Sequence, residues 1–419
     1  MSLSRRDLLK SAVGTSTLFA LAPTMPAVLQ RTAAAAAASR RRDTVLVVLQ
    51  LSGGNDGLNT IVPHTDDAYG RARRTLRLTS REVLKINDDL GFHPQMPGFS
   101  RLLKGGNLAV VQGVGYPQAN RNHPVAMRNW HTAQPDDQNC PTGWIGRAVD
   151  QLSAPDTPAA PGVFVAPIQP TLAVRAEHAV VPTIRDARDA VLRDRAESTH
   201  GNHADRLAEA AGLPHADNEN PLLQTVRRNT RAAADASKRI AAVVDDAAGT
   251  AEYPPLQLAQ SLRTVAQLIR ADVGIRIFFT ELGGGGIGGF DNHANQRDNH
   301  AALLKQLSES IAAFTDDLAR DRQLDRVTLM TFSEFGRTLT ENGRRGTGHG
   351  DAQPVFLIGG RLRGGLVGTP PSLTDLDQDA PKFHTDFRQV YATMLDSWLG
   401  VDSQAVLGAK YPPLDLFNT

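Results

Sequence analysis

The chain has a single cysteine, Cys140, in 419 residues. One thiol cannot form an internal disulfide, so the fold has to rest on its hydrophobic core, and Cys140 reads as a small packed side chain. The chain also lacks a charge excess: 45 Lys and Arg stand against 44 Asp and Glu, for a formal net charge of +1. No basic stripe with interleaved aromatics appears, which excludes nucleic acid as an expected partner. Beyond residue 38 there is no apolar run of about 18 residues, so no membrane span is expected there. A repeat of fixed period is missing, and so is a G-x-S-x-G elbow, which removes support for an α/β-hydrolase triad.

What is present begins at the N-terminus. Ser4-Arg5-Arg6-Asp7-Leu8-Leu9-Lys10 is followed by a mildly apolar stretch from Ser11 to Leu29 and small residues from Thr32 to Ser39. This pattern predicts a twin-arginine signal peptide over residues 1–38, with the twin-arginine export machinery as a partner and a periplasmic or extracellular location. Pro23 and Pro26 interrupt the stretch and argue against an anchor helix. Removing it takes away Arg5, Arg6, Lys10 and Arg31 together with Asp7, leaving about −2 on residues 39–419.

Those residues read as one α/β domain. Thr44 to Leu51 is a continuous apolar run ending in Ser52-Gly53-Gly54, as expected of a strand buried on both faces of a parallel sheet. Leu108–Val111, Val163–Ala166, Ile275–Thr280, Val327–Thr331 and Val355–Ile358 repeat the pattern. Helical segments are expected over Pro221–Ala248, Leu256–Ala271, Ala294–Arg320 and Asp386–Leu399. The alternation predicts a doubly wound, mostly parallel sheet flanked by helices. The stretch 153–251, rich in Ala, Asp, Arg and Pro, is expected to form a mostly helical insertion.

In such sheets ligands sit outside the carboxyl ends of the strands. Polar residues at strand ends or helix starts supply carboxylates (Asp56, Asp291, Glu334, Asp386) and imidazoles (His293, His349, His384). Mixed carboxylate and histidine ligation suits a divalent metal, Zn or Mn, with Mg or Ca as further candidates. Each residue also has a plain reading as a turn former, a cap or a surface histidine. Arg337 is a candidate for binding a substrate anion, since its fork matches a tetrahedral oxyanion, or else a salt-bridge partner. The glycines of 284–289 fit a G-x-G-x-x-G pattern, yet Asp291-Asn292-His293 follows where a dinucleotide helix should begin, so no nucleotide is expected.

Five blocks carry a family resemblance: Gly54–Thr60 (GNDGLNT), Gly113–Pro117 (GVGYP), Phe290–Gln296 (FDNHANQ), Ser333–Thr338 (SEFGRT) and Thr385–Tyr391 (TDFRQVY). In this order they resemble the bacterial exported family known as domain of unknown function 1501, itself placed near the alkaline phosphatase and sulfatase superfamily. The resemblance implies an alkaline phosphatase-like fold, with Asp56-Gly57 similar to the superfamily's first metal-binding Asp-Gly. It also places Asp291 and His293 in an Asp/His ligand segment and Glu334 at the position of a strand-end Asp. The sequence departs from the pattern at Asn120 and Asn122, where hydroxyl nucleophiles would stand, at Phe335 in place of a histidine, and at Gly348. A carboxamide forms no covalent intermediate; His123, next to that missing nucleophile, is with Arg337 a candidate catalytic residue, or else a helix-start residue with no role in chemistry.

Two functions follow. The first is an exported metal-dependent hydrolase acting on phosphate or sulfate esters through metal-activated water. The second is a catalytically degenerate binding or surface-assembly protein of the same fold.

Overall fold

A computed structural model describes residues 44–153, 161–167, 169–190, 237–244, 251–283 and 289–418. The signal segment 1–38, and with it the expected export signal, lies outside the described residues.

A nine-stranded sheet forms the centre. Its strands are β1 (Val45–Leu51), β2 (Leu108–Gly115), β3 (Gly162–Val165), β4 (Thr183–Ile184), β5 (Ile277–Leu282), β6 (Val327–Phe332), β7 (Gln353–Gly359), β8 (Gly365–Val367) and β9 (Thr385–Asp386). Their order is β8-β2-β7-β6-β1-β5-β3-β4, with β9 pairing β2. All neighbours run parallel except β7, which is antiparallel to both β2 and β6.

The helices that matter here are α1 (Gly57–Thr60), α2 (Pro97–Lys104), α3 (His123–Thr132), α4 (Trp144–Leu152), α5 (Gln257–Ala271), α6 (Gln296–Arg320) and α7 (Phe387–Ala392). They cover both faces of the sheet. Strand β1 shows why its sequence is apolar throughout: Val45, Val47, Leu49 and Leu51 enter one core with α2, α5 and α6, while Leu46 and Val48 enter a second with α3, α4 and α7. A strand whose alternate side chains meet two different helix layers has no solvent face to make polar.

Three details differ from the sequence expectation. Helix α6 begins at Gln296 rather than Ala294, because Asn295 takes a left-handed conformation (φ 46°) just before it. The last long helix is α-helical only to Ala392 and continues as a π-helix over Thr393–Leu399. Within 153–251, the described residues supply β3 and β4 at one sheet edge and a helix at 237–244; the rest of the expected helical insertion lies outside the described residues. Among the described residues no helix is long and apolar enough to cross a membrane.

Candidate metal centre

The carboxyl ends of β1, β2, β5 and β6 share one edge of the sheet, and because β7 runs the other way its start shares that edge too. Three stretches of chain converge there. After β2 the loop through Tyr116-Pro117 leads to Asn122, and Pro124 in the first turn fixes the backbone where α3 begins, so His123 is carried on a helix start. After β5 the chain returns through Phe290-Asp291-Asn292-His293 into α6. Before β7 a hairpin, Arg337–Glu341 against Thr347–His349, delivers His349.

Asp291 Oδ1 lies 3.3 Å from His123 Nε2, 2.9 Å from His293 Nε2 and 3.2 Å from His349 Nε2. His293 Nε2 and His349 Nε2 are 2.8 Å apart. All four ligand atoms fall within 4.8 Å of one another. Behind them the other ring nitrogens are engaged: His123 Nδ1 is 2.9 Å from Glu334 Oε1 and His349 Nδ1 is 2.6 Å from the Arg121 carbonyl. Both acceptors require a proton on Nδ1, so in the neutral form of each ring Nε2 carries the lone pair and faces the cluster.

Among the described residues His123 Nε2 is buried and has no partner of hydrogen-bond geometry. Facing lone pairs and a carboxylate repel unless a proton or a cation lies between them. Three imidazoles and one carboxylate are the donor set of a borderline divalent transition ion, so the residues present fit such a metal. The four side chains are between 21% and 43% exposed, so the centre is reachable from solvent.

The charges around the cluster prepare it. Burial pushes the Asp291 carboxyl up, but the Arg337 hydrogen bond (2.8 Å) and the nearby histidines outweigh it and bring the pKa down to about 2. Glu334 raises the His123 pKa, first through its hydrogen bond, while burial lowers that of His349. Gly53 makes the close approach possible. Its N–H donates to Glu334 at 2.8 Å, and at its φ of 114° a Cβ would collide with the backbone of Phe290 and Asp291.

Of the residues expected as ligands, Asp291, His293 and His349 meet here. Glu334 stands one layer behind, on His123. His123 itself, a catalytic candidate beside the missing nucleophile, is the fourth donor. Asp56 lies outside the cluster: it is buried, and its two oxygens are held by Arg73 and Gln296. His384 is also elsewhere, between Thr385 Oγ1 (3.1 Å) and the Thr369 carbonyl (2.6 Å), and Asp386 caps α7 and pairs with Arg388 at 2.6 Å. Arg337, a candidate for binding a substrate anion or else an inter-loop salt-bridge partner, is buried with its guanidinium on the carbonyls of Gly53, Gly54 (2.7 Å), Phe290 (2.9 Å) and Thr347 (3.3 Å) as well as on Asp291. It is a clamp holding three loops together.

No curated protein matches the chain. Among solved structures, similar ones are the C-terminal periplasmic domain of EcEptC from Escherichia coli in complex with Zn (10% identity over 76% of this chain and 73% of that one, TM-score 0.35). The lipoteichoic acid synthase LtaP from Listeria monocytogenes gives 9% over 87% and 76%, TM-score 0.33. A protein in the alkaline phosphatase superfamily from Vibrio parahaemolyticus gives 9% over 91% and 77%, TM-score 0.32. Scores this low transfer no chemistry to this chain. The sequence match is firmer and covers residues 43–410: the chain belongs to the family described as "Protein of unknown function (DUF1501)".

Proposed function

We propose that the chain is an exported metal-dependent hydrolase of anionic esters, phosphate or sulfate, with one divalent transition ion held by His123, Asp291, His293 and His349. The observation that carries this reading is the convergence of three Nε2 atoms on Asp291 Oδ1 at 2.9–3.3 Å, with one of them buried and unpartnered. A divalent ion held there supplies a Lewis acid for a phosphoryl or sulfuryl oxygen and acidifies water.

The protein's own residues set the conditions. Asp291 stays ionised through Arg337, Glu334 and the Arg121 carbonyl hold the imidazole tautomers, and the centre stays open to solvent. The Ser333 hydroxyl is buried, donating to the Leu51 carbonyl at 2.6 Å and accepting from the Gly54 and Asn55 N–H groups at 3.1 Å, so it offers no nucleophile. Attack by water fits this arrangement and the carboxamides at Asn120 and Asn122. The Arg5-Arg6 signal supports delivery through the twin-arginine pathway to the periplasm or beyond.

A second reading, a metal-binding protein without turnover, is favoured by the count of donors. Four protein ligands complete a tetrahedral set, as in structural sites, where catalytic sites keep one position open.

The test is elemental analysis of the folded protein combined with turnover of p-nitrophenyl phosphate and p-nitrophenyl sulfate. One equivalent of a transition metal, lost in His293→Ala and His349→Ala along with turnover, is the expected result. Metal without turnover of either ester selects the second reading, and a folded protein that takes up no Zn, Mn, Mg or Ca overturns both.

A further inference from the structure

Beside the metal centre lies a cleft of about 500 Å³, within the range of small-ligand sites. The segment Tyr116–Arg121 forms one wall, and Asp351, Asp377, Gln378, Lys382 and Phe383 form the rest. The two sites share a wall, since the Arg121 carbonyl that accepts from His349 belongs to this segment.

The cleft's charges are already spent. Arg121 holds Asp351 through two hydrogen bonds, 2.8 and 2.6 Å, and Asp377 at 3.0 Å, while Lys382 pairs with Asp375. Among the described residues no free cation remains in this wall to anchor an anion. What remains is carboxamide. Among the described residues the Gln118 amide has no hydrogen-bond partner, Asn120 uses only Oδ1, on the Asn122 N–H at 2.8 Å, and Gln378 meets only Arg121, at 3.5 Å.

Gln118 and Gln378 also share an unusual backbone: both take positive φ, 55° and 46°. Glutamine gains nothing locally from that conformation, and residues so held gather at ligand clamps. Gln118 and Gln378, both held in this conformation, therefore line one cleft, with the half-buried Phe383 in its wall.

We propose that this cleft binds a neutral sugar unit. Each hydroxyl of a sugar both donates and accepts, which suits planar amides and paired carboxylate and guanidinium groups that offer both roles in fixed directions. The C–H face of a pyranose ring packs on an aromatic face such as that of Phe383. A glycosyl group seated here lies against the metal centre across one backbone carbonyl. The inference stands on the cleft and does not need the metal.

Calorimetric titration with maltotetraose, cellotetraose and chitotetraose, and with triglycine, a zwitterion of no net charge, as a peptide control, tests it. At least one tetrasaccharide is expected to bind with Kd between about 10 µM and 1 mM. Gln118→Gly and Gln378→Gly should weaken that binding at least tenfold. Glycine accepts both φ values without strain, so these variants should fold at least as well as the parent. His293→Ala should bind the sugar as the parent does, so loss of the metal reading and loss of the sugar reading are seen separately. Binding of none of the three sugars, binding indifferent to both glycine variants, or binding of triglycine in preference to the sugars overturns the proposal.

Discussion

Replacing Asp56 by alanine separates a metal ligand from half of a buried ion pair. The Asp56 side chain is 3% exposed and the Arg73 side chain fully buried; Arg73 Nη2 donates to Asp56 Oδ1 at 2.9 Å while Nη1 contacts Oδ2. Burial raises the Asp56 pKa, but the Arg73 charge and hydrogen bonds outweigh it and the net shift is downward. Removing one partner of such a pair leaves an uncompensated buried charge and costs about 3–5 kcal/mol, a large part of a folding stability on the order of 5–15 kcal/mol. Urea unfolding should therefore show a lower midpoint with an unchanged slope. Arg73→Ala should lose at least as much, because Arg73 also donates to the carbonyls of Thr338 (2.9 Å) and Leu339 (3.0 Å) and to Asn59 (2.8 Å). Since the folded-state pKa of Asp56 is depressed, the pair's contribution is complete at neutral pH. It fades only as pH falls below the ordinary value of 3.8 and on through the folded-state pKa. Metal content of the folded Asp56→Ala protein should stay at one equivalent. An unchanged urea midpoint accompanied by loss of the metal would refute the assignment and make Asp56 a ligand.

Two further outcomes follow from the site and its surroundings. Glu334→Gln keeps the shape behind His123 but removes the charge that fixes its tautomer, so metal affinity measured by chelator competition should fall about 10- to 100-fold; an unchanged affinity would show that the 2.9 Å contact does not orient the ring. Glu281, whose Oε2 among the described residues receives only the Gln50 amide at 3.3 Å, has its pKa raised by burial from 4.5 to about 7. A carboxyl with a raised folded-state pKa loses stabilisation as pH rises, here between about pH 4.5 and 7. Glu281→Gln should remove that slope and make the protein more stable than the parent at pH 8; parallel stability curves would refute it.

The sheet was legible because strands buried on both faces are apolar throughout, as in TVLVVLQL. The antiparallel run of β7 left no such mark, since hydrophobicity does not encode strand direction. That reversal also hid the reason His349 reaches the site: it precedes its strand, whereas the rule for parallel sheets looks after strands. Asp291 and His293 were visible as a compact polar block at a strand end. Asp56 had the same local signature, and its engagement by Arg73, 17 residues on with no motif of its own, was not visible in the sequence. His123 shows the converse: 168 residues separate it from Asp291, and only the fold joins them. Its one sequence signal, a histidine before a proline at a helix start, is shared by many residues with no role.

The central position of β1 has a consequence for synthesis. This strand emerges first among those of the sheet, yet it pairs with β5 and β6, which end near residues 282 and 332. At about 5–20 residues per second a ribosome needs roughly 14–56 s to make the 281 residues between Leu51 and Phe332. Strand β5 is complete after the first 231 of these, at Leu282, so β1 waits roughly 12–46 s without either neighbour and for the full interval without β6. Non-local pairings of this kind also fold slowly once complete. Point substitutions in β5 or β6 should therefore show themselves first as lower yield of soluble protein.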